Sequence, residues 1–202
     1  MKKLLTYLIL PLAIIAVAIL IVRSINEPVR FNNEKIAREE VAIQRLKDIR
    51  ELQTTFKSAF GYYAPVMDTL IDFYKNGKIT IVRQIGSMDD SVAVARKLVR
   101  RENIDILVKD TLFTTRTDFF VDSLKYIPFS YGDTIIMSAV SKMVSGVSVP
   151  LFEAKMPYNS LLKGMDHQLI VNLNADRVDT ERYPGLMVGS ILNPNNNAGN
   201  WE

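Results

Sequence analysis

The chain of 202 residues contains no cysteine. That excludes disulfides, thiol nucleophiles, thiolate metal sites and lipoprotein processing. There is one histidine, His167, and one tryptophan, Trp201. A single histidine cannot by itself supply a multi-histidine zinc site or a Ser-His or Cys-His pair, and it reads as an ordinary surface or turn residue. No N-x-S/T sequon occurs. The missing sequons and disulfides together point to a bacterial periplasm for any part of the chain outside the cytoplasm. Neither G-x-x-x-x-G-K-S/T nor G-x-G-x-x-G is present, so nucleotide binding has no motif behind it.

The main part of the chain also lacks charge of a dominant sign. The formal charge is +3, from 25 basic and 22 acidic residues. Four of the basic residues (Lys2, Lys3, Arg23, Arg30) and only one acid (Glu27) lie within residues 1–30, leaving 21 of each sign beyond. The excess is confined to the flanks of an apolar run, where cations meet anionic headgroups. A neutral body gives no electrostatic case for nucleic acid as a partner.

What is present begins with that apolar run. Leu4 to Val22 carries no charge and is interrupted only by Thr6, Tyr7 and Pro11. As a helix it is about 28 Å long, close to the thickness of a bilayer's hydrocarbon core. It is longer than the apolar part of a cleaved signal peptide, and Arg23 to Val29 offers no small-x-small cleavage pair. Residues 1–30 are therefore expected to be an uncleaved signal anchor and juxtamembrane segment. The flanking charges and the short N-terminal tail favour an N-terminus in the cytoplasm and a body in the periplasm, with one pass through the inner membrane. Pro11 is placed either to kink the span against a neighbouring helix or as a tolerated proline near a helix start.

Pro28 marks the expected break between span and body, and Asn32 or Asn33 offers an N-cap for a new amphipathic helix over about 33–60. Ala42, Leu46, Ile49, Gln53, Phe56 and Phe60 recur at spacings of four, three, four, three and four, with Ile36, Ile43 and Leu52 widening the stripe. This stripe is expected to pack on the protein's own body, a partner helix being the alternative. The residues assigned to a partner interface are Pro11, Ala42, Leu46, Ile49, Phe56 and Trp201. A second helix is expected over Val66–Lys75, closed by Asn76-Gly77, then a strand over Lys78–Gln84, then a third helix from Asp89 or Asp90 to about Arg101. Short β-like runs follow at Ile104–Val108, Phe119–Ile127, Thr134–Ala139, Val147–Ala154, Gln168–Leu173 and Leu186–Val188. Helices first and strands later give an α+β periplasmic domain over 31–192 with an antiparallel sheet. The polar tail, 193–202, is expected to be disordered unless Trp201 docks on the body or on a partner.

Four groups of residues could carry chemistry. Ser160 and Lys163 match S-x-x-K, in which a lysine one helical turn on takes the serine proton. The S-D-N and K-T-G elements that accompany it in penicillin-binding enzymes are missing. Asp68 with Asp72, and Asp118 with Asp122, are carboxylate pairs that could hold a cation or divide acid and base roles. Asn172-x-Asn174-x-Asp176 opens like a calcium loop, but Arg177 stands where the loop needs glycine and Tyr183 where it needs the bidentate glutamate. These departures leave no metal and no cofactor assigned.

Two resemblances follow from longer stretches. An apolar helix continuing into an amphipathic one and then a small sheet, with IRELQTTFKSAFGYY at Ile49–Tyr63, resembles pilins and pseudopilins. Lys2-Lys3-Leu4 stands where that class carries its processing site. The ending Tyr183-Pro-Gly-Leu-Met-Val-Gly-Ser190, followed by NNNAGNWE, resembles a set of short, uncharacterised single-span envelope proteins of Gram-negative bacteria. That resemblance implies an accessory subunit of TonB-type proton-driven motors of the ExbB/ExbD kind, with other inner-membrane subunits or self-association as partners.

Overall fold

The computed structural model describes residues 10–85 and 100–202. The fold is α+β: one long N-terminal helix, apolar in its first part, and a small domain of antiparallel strands and short helices built on its second part.

Helix α1 spans Leu10–Phe60, 51 residues, or about 76 Å. It does not break at Pro28, as the sequence suggests it should, and Asn32 and Asn33 lie inside it rather than capping a second helix. The proline removes one hydrogen bond to the carbonyl four residues back, a cost of about 3 kcal/mol in a helix interior. Around Pro28 every residue from Leu10 to Arg30 is exposed, so the freed carbonyl is open to its surroundings. With helix already formed on both sides, no new nucleation is needed and a cap has nothing to start. The expected boundary at residue 30 is therefore no boundary in the backbone.

Contact with the body starts at Phe31, half-buried against the core. From there the stripe read from the sequence turns inward. Ala42, Leu46, Ile49 and Leu52 are fully buried and Phe56 nearly so. Four of the residues assigned to a partner interface are thus committed to the protein's own core, because the same 3.5-residue spacing serves a packed body as well as a partner. Gln53 is also fully buried, and it is not there as an apolar filler. Its side-chain amide donates to the Ala64 carbonyl and accepts from the Ala64 N–H, both at 2.9 Å. This clasp closes the turn at 61–64 and brings helix α2, Met67–Asn76, back beside α1. Phe56, Phe60, Tyr62 and Phe73 interlock there, with ring centroids 4.6 to 6.2 Å apart.

Gly77 ends α2, where a Cβ would lie 2.3 Å from the Phe73 carbonyl oxygen, and the chain turns into strand β1 (Lys78–Ile85). β1 pairs antiparallel with β2 (Arg100–Leu107) as a separate two-stranded ribbon. Arg100 and Arg101, expected to end a helix, are strand residues opposite Ile85 and Gln84. The rest of that expected third helix lies outside the described residues.

The expected strand at Phe119–Ile127 is instead a 3₁₀ turn at Val121–Lys125. Ser123 bonds back to the Phe120 carbonyl through both its N–H and its hydroxyl, and ion pairs from Lys75 to Asp122 and from Lys125 to Asp68 fasten the segment to α2. Strand β3 (Ile136–Val144) and strand β4 (Val147–Pro157) form a hairpin whose Ser145-Gly146 turn takes positive φ at both residues, as a two-residue hairpin of this hand requires. β5 (Gly185–Gly189) completes the order β3-β4-β5. After β4 comes a single helical turn, α3 (Tyr158–Leu161), and then α4 (His167–Asp179). Gln168–Leu173 is part of α4 and not a strand. Asp166 caps the helix by accepting from the Leu169 N–H at 2.8 Å, and a short apolar run does not by itself distinguish the two conformations.

The tail is ordered on the body. Gly189 N–H donates to the Ala198 carbonyl and Asn200 N–H to the Met187 carbonyl, both at 3.0 Å, so residues 198–200 cover the free edge of β5. Asn197 donates to the Tyr63 hydroxyl at 2.8 Å, Arg50 pairs with Glu202 at 2.6 Å, and Trp201 packs half-buried on the core.

Two outcomes follow from this packing. Leu46→Ala should cost about 2–5 kcal/mol in urea unfolding of the detergent-solubilised chain, and Leu46→Lys should unfold the body outright. Arg50 holds the Glu202 carboxyl below its ordinary range. Its contribution to docking is complete above the unfolded-chain value of about 4.3 and fades as pH falls through the lower folded value. Trp201, the lone tryptophan, should therefore red-shift on acidification below that point, and Arg50→Ala should produce the shift at neutral pH.

Candidate functional site

The polar side chains that join α1 to the body gather where the helix enters it. The Phe31, Lys35, Arg38, Ala42 face of α1 meets α3, the loop at 162–166 and the loop at 128–133. Arg38 does most of the joining. Its guanidinium donates to the Leu161 carbonyl at 3.3 Å and to the Lys163 carbonyl at 3.0 Å, takes Glu34 one turn back at 2.8 Å, and lies 5.1 Å from the centre of the Phe129 ring. The Leu161 carbonyl ends a one-turn helix and the Lys163 carbonyl lies in the turn just after it, and a donor fork from α1 reaches both.

Next to this lies a polar triad centred on one buried hydroxyl. Tyr158 is fully buried at the start of α3, and its hydroxyl donates to Glu39 Oε1 at 2.6 Å and accepts from Arg177 of α4 at 3.1 Å. Burial, and then the neighbouring Glu39 carboxylate, push the phenol well above its ordinary pKa. The hydroxyl is therefore a fixed donor across the neutral range, not an acid. Three segments far apart in sequence (α1, α3 and α4) are held through one oxygen. Facing the first part of α1, a cleft of about 490 Å³ is lined by Arg23, Arg30, Glu34, Arg38, Gly164 and Asp166.

The structure places the sequence-derived candidates as follows. Ser160 and Lys163 do not face each other as a nucleophile and its base. Both turn to Asp133, whose carboxyl is held below its usual range by the Ser160 hydroxyl and then the Lys163 ammonium. Lys163 Nζ also reaches the Ser130 carbonyl at 3.1 Å. The Lys163 ammonium is directed at Asp133 and the Ser130 carbonyl and not at the Ser160 hydroxyl, and a carboxylate of lowered pKa is a poor substitute base. Asp68 and Asp72 are separately engaged, with Lys125 at 2.8 Å and with Asn76 at 2.7 Å. Asp118 pairs with Arg116, and Asp122 with Lys75. Neither carboxylate pair converges on a shared space. Asn172, Asn174 and Asp176 stand on α4, where alternate residues point apart, and not on a loop that could wrap a cation. His167 is exposed at the first turn of α4. Among the described residues no group of three or more histidines or carboxylates is placed to hold a metal. Pro11 is exposed in the first described turn of α1, and the residue one turn before it lies outside the described residues. Trp201 is docked on this chain's own body.

Sequence reading missed two arrangements. One is the Glu39–Tyr158–Arg177 triad, whose members are 119 and 19 residues apart. The other is the pair of Asp48, only 5% exposed, with Arg116 beside a cleft of about 370 Å³ that Gln44, Arg45 and Phe119 also line. Asp48 stands at the edge of the buried stripe, one turn before Leu52, and a buried charge there needs a partner from elsewhere. Nothing local marks Tyr158.

Tyr158→Phe should cost about 1–3 kcal/mol in urea unfolding, since it removes the buried hydroxyl that the half-buried Glu39 carboxylate and Arg177 share. A β-lactam probe should leave the protein unlabelled by intact mass, and an adduct lost in Ser160→Ala would contradict the geometry at Asp133. No protein-family model matches this chain, and no curated protein or solved structure matches it either.

Proposed function

We propose that this protein is a non-catalytic, membrane-anchored accessory or scaffold subunit of a bacterial inner-membrane or trans-envelope complex. In this reading α1 begins as a signal anchor with its N-terminus in the cytoplasm and carries the body into the periplasm. Among the described residues α1 is the one helix long and apolar enough to cross a membrane. The observation that carries the reading is its continuity. One unbroken helix runs from an exposed apolar segment through Phe31 and Arg38 into the centre of the core. A flexible linker would leave the body free of its anchor, whereas a helix locked by Arg38 and the Glu39–Tyr158 bond passes tilt or rotation of the anchor to the body.

A TonB-type motor of the ExbB/ExbD kind is the assembly that the terminal resemblance suggests. Residues 4–22 contain no acidic side chain, so this chain would be scaffold or regulator there and not the proton carrier. The same continuity also supports a second reading, a pseudopilin-like fibre or secretion subunit, because α1 is exposed in its first part and packed against an antiparallel sheet in its second.

A mild-detergent pull-down of the tagged full-length chain from native membranes tests the first reading. Multi-span membrane proteins retained in fixed ratio are the expected result, and a chain recovered alone would overturn it. Intact mass tests the second: a fibre subunit would show a processed N-terminus.

A further inference from the structure

The cleft of about 490 Å³ under the loop at 162–166 connects the body to the part of α1 that precedes it. Arg23, Glu27, Arg30, Glu34 and Arg38 form its helical wall, at spacings of four, three, four and four that keep them on one face. At the upper end the polar groups are already engaged. Arg38 takes Glu34 and two backbone carbonyls, and Asp166 accepts from the Leu169 N–H. The lower end is different. Among the described residues the side chains of Arg23, Glu27 and Arg30 have no hydrogen bond and no ion pair, although all three border the cleft. Together they leave one positive charge without a counterion.

We propose that this lower end binds the headgroup of an anionic phospholipid, a phosphodiester with one negative charge, in the leaflet from which α1 emerges. The inference rests on the anchor in the reading above and not on the identity of any other subunit. Position selects a lipid over a soluble anion. Arg23 is the first residue after the apolar run, so it stands at the border of the hydrocarbon. The interfacial layer beyond that border is about 5–7 Å deep. Arg30 lies about 10 Å farther along the axis. Side chains on a helix lean toward its N-terminus, here toward the bilayer, so the Arg30 guanidinium comes down onto the same layer. Chemistry selects the headgroup. A guanidinium fork matches the free oxygens of a phosphate. The one surplus positive charge is offset by a single phosphodiester, whereas a zwitterionic headgroup brings a cation of its own beside two arginines. Phe31 and Met165, both half-buried on the core, give the cleft an apolar back that keeps water from one side of these pairs. A lipid held there sits between the bilayer and the loop at 162–166, and so braces the body against tilt on its anchor.

The test uses the full-length chain, purified in mild detergent and stripped of lipid. It is offered equal amounts of phosphatidylglycerol and phosphatidylcholine with the same acyl chains, and the lipid it retains is counted by native mass spectrometry. The expected result is several-fold more phosphatidylglycerol than phosphatidylcholine. That preference should vanish when Arg23→Gln and Arg30→Gln are combined. It should persist in Arg182→Gln, which removes an exposed arginine just beyond the far end of α4. Unchanged Trp201 emission in these variants shows that the body is still folded. Glycerophosphoglycerol, the same headgroup without tails, should not displace the lipid at millimolar concentration. Equal retention of the two lipids would overturn the proposal, as would a preference that survives the double variant or is lost equally in Arg182→Gln. Displacement by the soluble headgroup would overturn it too, since the cleft would then take a phosphodiester from solution. Alkaline extraction of native membranes keeps the two readings apart: a chain that washes off refutes the anchor, whereas one that stays embedded and shows no lipid preference refutes only the headgroup site.

Discussion

The structure depends on how a single helix divides its surface. From Leu10 to Arg30 every residue of α1 is exposed. Between Ala42 and Phe56 it supplies fully or nearly fully buried side chains to the only core cluster among the described residues. A sheet of three strands and two short helices, α3 and α4, buries little apolar surface without it. The helix is thus both the link to the first residues and the centre around which the rest condenses. Its buried stripe is the reason the body folds at all, and this is why that stripe is unavailable to a partner.

The polar bonds at the joint work differently from the core. Burial is non-directional, so Leu46 and Ile49 hold α1 to the sheet without fixing its rotation. Arg38 on two carbonyls, Glu39 on Tyr158 and Gln53 on Ala64 do fix it, because each loses its bond if the helix slides or turns by one residue. With rotation fixed, the other side of α1 is a defined surface.

The tail shows the same economy. Asn195, Asn196, Asn197 and Asn200 form a sequence with little apolar content, yet residues 198–200 pair along β5, and Glu202 reaches Arg50. Backbone hydrogen bonds to an unpaired strand edge do not require hydrophobic side chains. Composition therefore signals disorder where a sheet edge supplies the order.

By itself the sequence determined the apolar run, the buried stripe of α1, the placement of helix α2 and strands β1, β4 and β5, the α+β class and the absence of cysteine chemistry. All of these rest on periodicity or composition within a short window, where each residue reports its own environment. Only the tertiary structure decided that the helix passes through Pro28, that Gln168–Leu173 is helical and Phe119–Ile127 is not strand, that Lys163 serves Asp133 and not Ser160, and that the tail is docked. Three of these outcomes turn on a partner outside the local window: Asp133 for Lys163, α2 for the 3₁₀ turn, β5 for residues 198–200. The other two turn on context nearer by, the Asp166 cap for Gln168–Leu173 and helix on both sides for Pro28. Local propensity differs by only about 1 kcal/mol between such alternatives, and one satisfied buried hydrogen bond or ion pair is enough to reverse it.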